Sequence, residues 1–515
     1  MQYQDIIERA RQAKEAVADH LSPDRRKTVF HDKGMYTPRE RIAKLLDEGS
    51  FFELDMLATH RYQEFGMDRR KIPADGVVCG FGEIGGRKVA VYSQDFAALG
   101  GTYGEMHGRK ICALMDQAAR VGAPIIGICH SGGLRLHETL GPMEMFGQLF
   151  RRNSLYSGVV PQISIVLGVV AGGQAYSPGL TDFILMTKGS SIYIAGPAFV
   201  EAQTGRVVSD QELGGASMHA RHSGVVDILR KTEDEVFQEA RELVGYLPLS
   251  CKGEPPRVES NDPPGRLVDE LNSVAPVESW APFDMHKVIT PVLDHGRFLE
   301  IKKGYAPNMI VGFGRLAGGP VGVVANQSQQ LGGVIDIKAS AKAARFVRFC
   351  DAFNIPIVTF QDSPAYLIGV EMERGGMIYK GAKLLHAYAE ATVPKVTIIV
   401  RKAYAGAYIA MGSQYIGADL VYAWPGAGIS SVAPKTAASI LFRKQIAEAA
   451  DEETIQQLHQ DYYDNYVQPF RAASLRHIND IIEPRDTRKV LIDSLKFLAG
   501  KEVARPWRKH GNIPL

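Results

Sequence analysis

The chain has 515 residues, 45% hydrophobic and 23% charged, with a formal net charge of +2. That length implies roughly two to four domains, and the near-neutral charge excludes the strongly basic footprint of a nucleic-acid or anionic-membrane binder. The cysteines, Cys79, Cys112, Cys129, Cys251 and Cys350, form no CxxC pair, which speaks against a zinc ribbon, a dithiol redox site or any other metal centre built on them.

The N-terminal stretch MQYQDIIERARQAKEAV is charged and helix-like. It lacks the apolar core of a secretory signal and is too acidic for a transit peptide. No apolar run is long enough for a membrane span, so the cytoplasm is the expected compartment. The stretch LGGTYGEMHG at 99–108 is glycine-rich but is neither GxGxxG nor a P-loop. Arg109 and Lys110 behind it read as exposed helix charges rather than phosphate ligands. Ile111, Leu114, Met115 and Ala118 then have the spacing of a core-facing helical stripe. Pro124 opens an apolar strand that ends in HSGGLR at 130–135. A second apolar strand starts at Pro161 and ends in AGGQAYSPG at 171–179. Gly-Gly is a common turn, but it also leaves backbone amides open to a ligand oxygen. His130, His137, His219 and His222 are candidate bases; a lone histidine is more often structural, and no nucleophile–base–acid triad is evident.

The stretch CKGEPPRVESNDPPG at 251–265 reads as an interdomain linker. Beyond it the first half repeats. Pro124 and Ser131 match Pro356 and Ser363 at one common offset, and at that offset the stripe recurs as Ala343, Phe346, Val347 and Cys350. With a one-residue slip, Pro161 matches Pro394 and Gly173 falls on Gly406. The tail from about Lys444 to Leu515 reads as helices with a polar end. Helices alternating with short apolar strands imply α/β layering and largely parallel pairing. Each half contributes two loops after strands: HSGGLR and AGGQAYSPG in the first, DSPAYLIG at 362–369 and AYAGAYIAM at 403–411 in the second. Ligands of parallel α/β units gather where strands end and helices begin, and unpaired amides there stabilise an oxyanion by roughly 2.7–4 kcal/mol per donor. Repetition in both halves favours two oxyanion sites over two ordinary turns.

At these loops the sequence resembles the carboxyltransferase (β) subunits of biotin-dependent acyl-CoA carboxylases, most closely the propionyl-CoA carboxylase β group. The resemblance is carried by VAVYSQDFAALGGTYGEMHGRKI (89–111), GGQAYSPGLTDFILM (172–186), ELGGASMHARHSGVVD (212–227), SAKAARFVRFCDAFNIPIVTF (340–360) and GAKLLHAYAEATVPKVTIIVRKAYAGAY (381–408), and it extends over nearly the whole chain. It implies two tandem crotonase-like domains, 1–258 on the CoA side and 259–515 on the biotin side, in a homo-hexamer built as a dimer of trimers. It implies carboxyl transfer from carboxybiotin on a carrier protein to the α-carbon of an acyl-CoA through a thioester enolate, with the ureido nitrogen taking the proton. Biotin carboxylase and the biotin carboxyl carrier then come from partner chains. By the same resemblance Gly172 and Gly173 form one oxyanion hole, for the thioester, and Gly406 and Ala407 the other, for biotin. Ser131, Gly132, Gly133 and Tyr176, with Ala365, Tyr366 and Ile409, fall at substrate-contact positions.

The chain departs from the family at several of these loops. His130 stands where the family has Asp, Leu134 where it has Ala, and Ala365-Tyr366 where it has Gly-Phe. Ala405 replaces a glycine, and Ile409 replaces the Asp of propionyl-type members. His130 and Leu134 are expected to enlarge their loop and to alter the acyl group accepted. Three further readings stand beside this one. They are the carboxyltransferase subunit of a decarboxylase coupled to a membrane sodium pump, a paralogue without turnover, and a crotonase-type hydratase or isomerase, for which the GGQAYSP loop offers no carboxylate.

Overall fold

The computed structural model describes residues 3–278, 281–449 and 451–514. It divides into two compact units, Met1–Glu254 and Pro255–Leu515. Much of the stretch expected to be a linker is packed into the second unit. Val258 donates its N–H to Gly318 O at 3.1 Å, and Asp262 is buried between Arg266 (2.7 Å) and Arg488 (3.7 Å).

The first unit is built on an eight-stranded sheet: β1 (Phe52–Leu54), β2 (Val77–Ile84), β3 (Arg87–Gln94), β4 (Ile125–Ser131), β5 (Gln162–Ala171), β6 (Phe183–Thr187), β7 (Ser191–Tyr193) and β8 (Ile228–Arg230). Its order is β1-β2-β3-β4-β5-β6-β8, with β7 pairing the end of β5. The second unit has β9 (Phe298–Ile301), β10 (Met309–Leu316), β11 (Gly319–Asn326), β12 (Ile357–Ser363), β13 (Lys395–Tyr404), β14 (Leu420–Ala423), β15 (Gly428–Ser430) and β16 (Asp480–Ile481). Its order is β16-β14-β13-β12-β11-β10-β9, with β15 pairing the end of β13. From β3 and β11 onward the pairs are parallel. The β2–β3 and β10–β11 hairpins are antiparallel, which alternation of helices and strands did not foretell. The tail is mostly helical as expected, but Asp480–Ile481 adds an edge strand.

Both expected helical stripes lie in the core: Ile111, Leu114, Met115 and Ala118, and Ala343, Phe346, Val347 and Cys350, are all buried. The duplication also reaches further upstream than Pro124. β2 and β3 recur as β10 and β11 at the same spacing, and Leu99-Gly100-Gly101 recurs as Leu331-Gly332-Gly333 with every one of these residues at positive φ.

Lys110 is not the exposed charge its helix position implied. It is buried, and its Nζ donates to Ala74 O (2.8 Å) and Val77 O (2.7 Å). Lys342, its counterpart in the repeat, does the same to Lys302 O (2.9 Å) and Tyr305 O (2.8 Å). Burial pushes its ammonium down to about 7. Each half thus uses a lysine to tie together two carbonyls of the turn before its hairpin. Arg109 pairs with Glu105 at 2.8 Å.

Candidate active site

In the first unit β5 ends at Ala171, and the chain turns at Gly172 (φ +66), the first residue of the short helical segment Gly172–Ala175. In the second unit β13 ends at Tyr404, and the chain turns at Ala405 (φ +52) before Gly406. The residues preceding the turns have nearly the same backbone, φ −123 and ψ 157 at Ala171 and φ −115 and ψ 151 at Tyr404. The first N–H groups of each helical segment have no intrahelical acceptor. Ala405 holds a left-handed conformation that glycine adopts freely and alanine does not. Ala405→Gly should therefore stabilise the second unit by about 1 kcal/mol. Chemical denaturation tests this; a lowered midpoint would remove strain from the account of this turn.

The loops after β4 and β12 lie against these turns. Ser131 and Gly133 are buried and Gly132 is exposed, and Ser131 Oγ accepts the Gly133 N–H at 3.2 Å. A Cβ on Gly133 would stand 3.1 Å from Ala171 O, so the loop and the turn touch. Tyr176 is half exposed beside Phe150. In the second unit the Tyr366 ring lies over Gly406, 3.5 Å from where a Cβ would stand. Ala365 O accepts the Ile335 N–H at 3.1 Å. Gln361 Nε2 donates to Ala407 O at 3.0 Å, tying down the turn from beneath. Ile409 is 40% exposed one helical turn further on. The structure thus gathers Ser131, Gly132, Gly133, Gly172, Gly173 and Tyr176 within one unit, and Ala365, Tyr366, Gly406, Ala407 and Ile409 within the other.

His130 does not enlarge its loop. Its ring is buried, stacked on Phe96 with centroids 4.1 Å apart, and fills the space beside Gly168. Burial, with smaller contributions from Arg41 and Lys33, pushes its pKa down to about 3. A neutral, enclosed imidazole is no general base at neutral pH. The sign of the linkage follows: the folded ring refuses the proton that the unfolded ring accepts near pH 6.5. Its contribution to stability is therefore complete above about 6.5 and is lost as pH falls toward about 3. His130→Gln should flatten the acid limb of a stability–pH curve over that window, as read by thermal melts; an unchanged limb refutes this.

The second unit solves the same position with charge. Asp362, the counterpart of His130 in the repeat, is buried and held by Arg401 and Lys402, each at 2.8 Å. Burial opposes its ionisation, but Lys402 and Arg401 keep the carboxyl below its usual range. The backbone holds both residues alike: Gln94 Oε1 accepts the His130 N–H at 3.0 Å, and Asn326 Oδ1 accepts the Asp362 N–H at 3.2 Å. Of the other histidines, His219 has both ring nitrogens engaged, with Ser223 Oγ (2.6 Å) and Ile192 O (2.8 Å). That ties it to β7 beside the Gly172 turn. His222 is exposed and His137 half buried.

The sequence matches the carboxyl transferase domain family over residues 30–513. The chain belongs to the carboxyltransferase family. It is 46% identical to the propionyl-CoA carboxylase carboxyltransferase subunit of Haloferax mediterranei over 100% of both chains. It is also 46% identical to the methylmalonyl-CoA decarboxylase subunit alpha of Veillonella parvula, over 94% of each. Among solved structures it is similar to transcarboxylase 12S, a hexamer with methylmalonyl-coenzyme A and methylmalonic acid bound. That likeness has a TM-score of 0.97 and 41% identity, covering 100% of this chain and 99% of the other. The two units of this carboxyltransferase are tandem crotonase-like domains. Among the described residues no helix is long and apolar enough to cross a membrane.

Proposed function

We propose that this carboxyltransferase moves a carboxyl group between biotin on a carrier protein and the α-carbon of an acyl-CoA, through a thioester enolate. The observation that carries the reading is the pair of register-matched turns, Gly172–Gly173 and Ala405–Gly406, each closing a central strand in a unit of the same fold. An enolate and a ureido anion both form during the transfer, and each needs its own set of preorganised amides. The thioester is assigned to Gly172 and Gly173, with Ser131, Gly132, Gly133 and Tyr176 around it. Biotin is assigned to Gly406 and Ala407, with Ala365 and Tyr366 beside them. Ile409 shapes the acyl pocket, and an apolar side chain there favours an acyl group other than propionyl.

Residues 1–258 form the CoA side and 259–515 the biotin side in this reading. Biotin carboxylase and carrier subunits supply the carboxylated biotin, the chain assembles as a hexamer, and the cytoplasm is the compartment. The similarity to a transcarboxylase solved as a hexamer with methylmalonyl-CoA supports the assembly and the substrate class. The similarity to a decarboxylase subunit makes direction the second question.

One assay tests the transfer itself: the purified chain with free biotin and a panel of carboxyacyl-CoA thioesters of increasing chain length. Biotin-dependent loss of the carboxyl group from at least one of them is expected. No transfer with any would overturn the reading.

A further inference from the structure

The duplicated halves serve as controls for each other, because whatever the fold itself requires should be found in both. The first unit contains a hydrogen-bonded chain of buried polar groups that has no equivalent among the described residues of the second. Arg135 Nη1 donates to Asp75 Oδ1 (2.6 Å) and Glu138 Oε1 (2.8 Å), and its Nη2 donates to Thr102 O (3.0 Å). Glu138 Oε2 accepts the Glu105 N–H (2.6 Å), and Asp75 Oδ2 accepts the His107 N–H (2.7 Å). His107 Nδ1 lies 3.1 Å from Asp75 O, an acceptor only, so Nδ1 carries the proton. Nε2 then accepts from Gln94, whose Oε1 holds the N–H of His130. Arg135, Asp75, Glu138, His107 and Gln94 are all at most 1% exposed.

At the offset that carries Pro124 onto Pro356, the second half has Pro307 for Asp75, Ala339 for His107, Leu367 for Arg135 and Val370 for Glu138. The backbone is the same: the Arg135 N–H donates to Tyr103 O, and the Leu367 N–H donates to Ile335 O. The fold therefore forms without these charges. Burying them adds little stability over an apolar equivalent. Asp75 also sits at φ +53, a conformation its counterpart Pro307 cannot adopt. Buried charge at these four positions, and the positive φ of Asp75, occur in one half alone and indicate a task of that half.

We propose that Asp75, Arg135 and Glu138 are positioning residues for the CoA-side loop Ser131–Leu134, fixing it against the Gly172 turn for thioester recognition. The proposal rests on the carboxyltransferase reading and its placement of the thioester in the first unit. The route of positioning is short. The Arg135 side chain holds Thr102 O while its backbone N–H holds Tyr103 O, and the Tyr103 N–H donates to Gly133 O at 2.8 Å. The Gly132 N–H donates to Gly100 O at 2.9 Å. Gly133 in turn packs on Ala171 and Gly172.

The test is a neutral triple variant, Asp75→Asn, Arg135→Leu and Glu138→Val, assayed with free biotin and the carboxyacyl-CoA of the panel that the unaltered chain turns over fastest. It should fold, with KM for that thioester raised at least tenfold and KM for biotin changed less than twofold. Equal changes in both, or none, overturn the proposal. Should the triple variant not fold, Glu138→Gln decides by the same split, with a threefold rise in thioester KM expected and an unchanged value overturning it. Calorimetry of the panel's carboxyacyl-CoA thioesters with the unaltered chain separates the two layers. Binding of none of them sinks the carboxyl-transfer reading itself, whereas equal binding of the selected thioester by wild type and variant sinks only the positioning role.

Discussion

Gly173→Val should reduce kcat for carboxyl transfer by about 100- to 1000-fold, the cost of one oxyanion donor. The reason is not that the side chain projects toward the ligand. A Cβ at this position would point inward, 3.0 Å from the Phe146 ring. Phe146 is buried and stacked on Tyr103 with centroids 4.4 Å apart, so it has nowhere to retreat. The turn must move instead, carrying its amides away from the reacting oxygen. Gly406→Ala is the matched comparison, because its Cβ would make an ordinary 3.5 Å contact with Tyr366. Its effect on kcat should stay below about tenfold. Steady-state kinetics on both variants decide the matter, and an undiminished kcat for Gly173→Val removes the amides of this turn from the mechanism.

Gly168→Ala should destabilise the first unit by about 3 kcal/mol or more, with no ligand present. Gly168 has φ +124, and a Cβ there would stand 2.3 Å from His130 Nε2. The imidazole is pinned against Phe96, so relief requires moving a strand or expelling the ring. Adding His130→Ala should recover part of the loss, because the two substitutions share one space. Additive losses in a double-mutant cycle, read by denaturant titration, would show that the ring does not occupy that space.

The comparison of His130 with Asp362 shows where sequence reasoning stops. At the level of sequence, His130 is a polar substitution in a glycine-rich loop, and enlargement of that loop is the natural expectation. The last residues of β4 alternate in side-chain direction, however, and His130 faces inward. It occupies the room left by Gly168, whose counterpart at the slipped offset of the second strand is Arg401. An ion pair in one unit is replaced by a ring and a missing side chain in the other. No local pattern reveals this, because the compensating residues lie on neighbouring strands.

The duplication, the α/β layering, the core stripes of the two long helices and the small-residue turns at Gly173 and Gly406 were all legible in the amino-acid sequence. Each depends on periodicity or on a residue type acting within a few positions of itself. The burial of Lys110 and Lys342, the direction of the Gly173 Cβ, the inward turn of His130 and the chain from Glu138 to Gln94 were decided only by tertiary structure. Their partners lie far away along the chain, and whether a charge is exposed or enclosed depends on what the fold brings to it. Local chemistry marked the two small-residue turns; long-range packing determined which side chains hold them still.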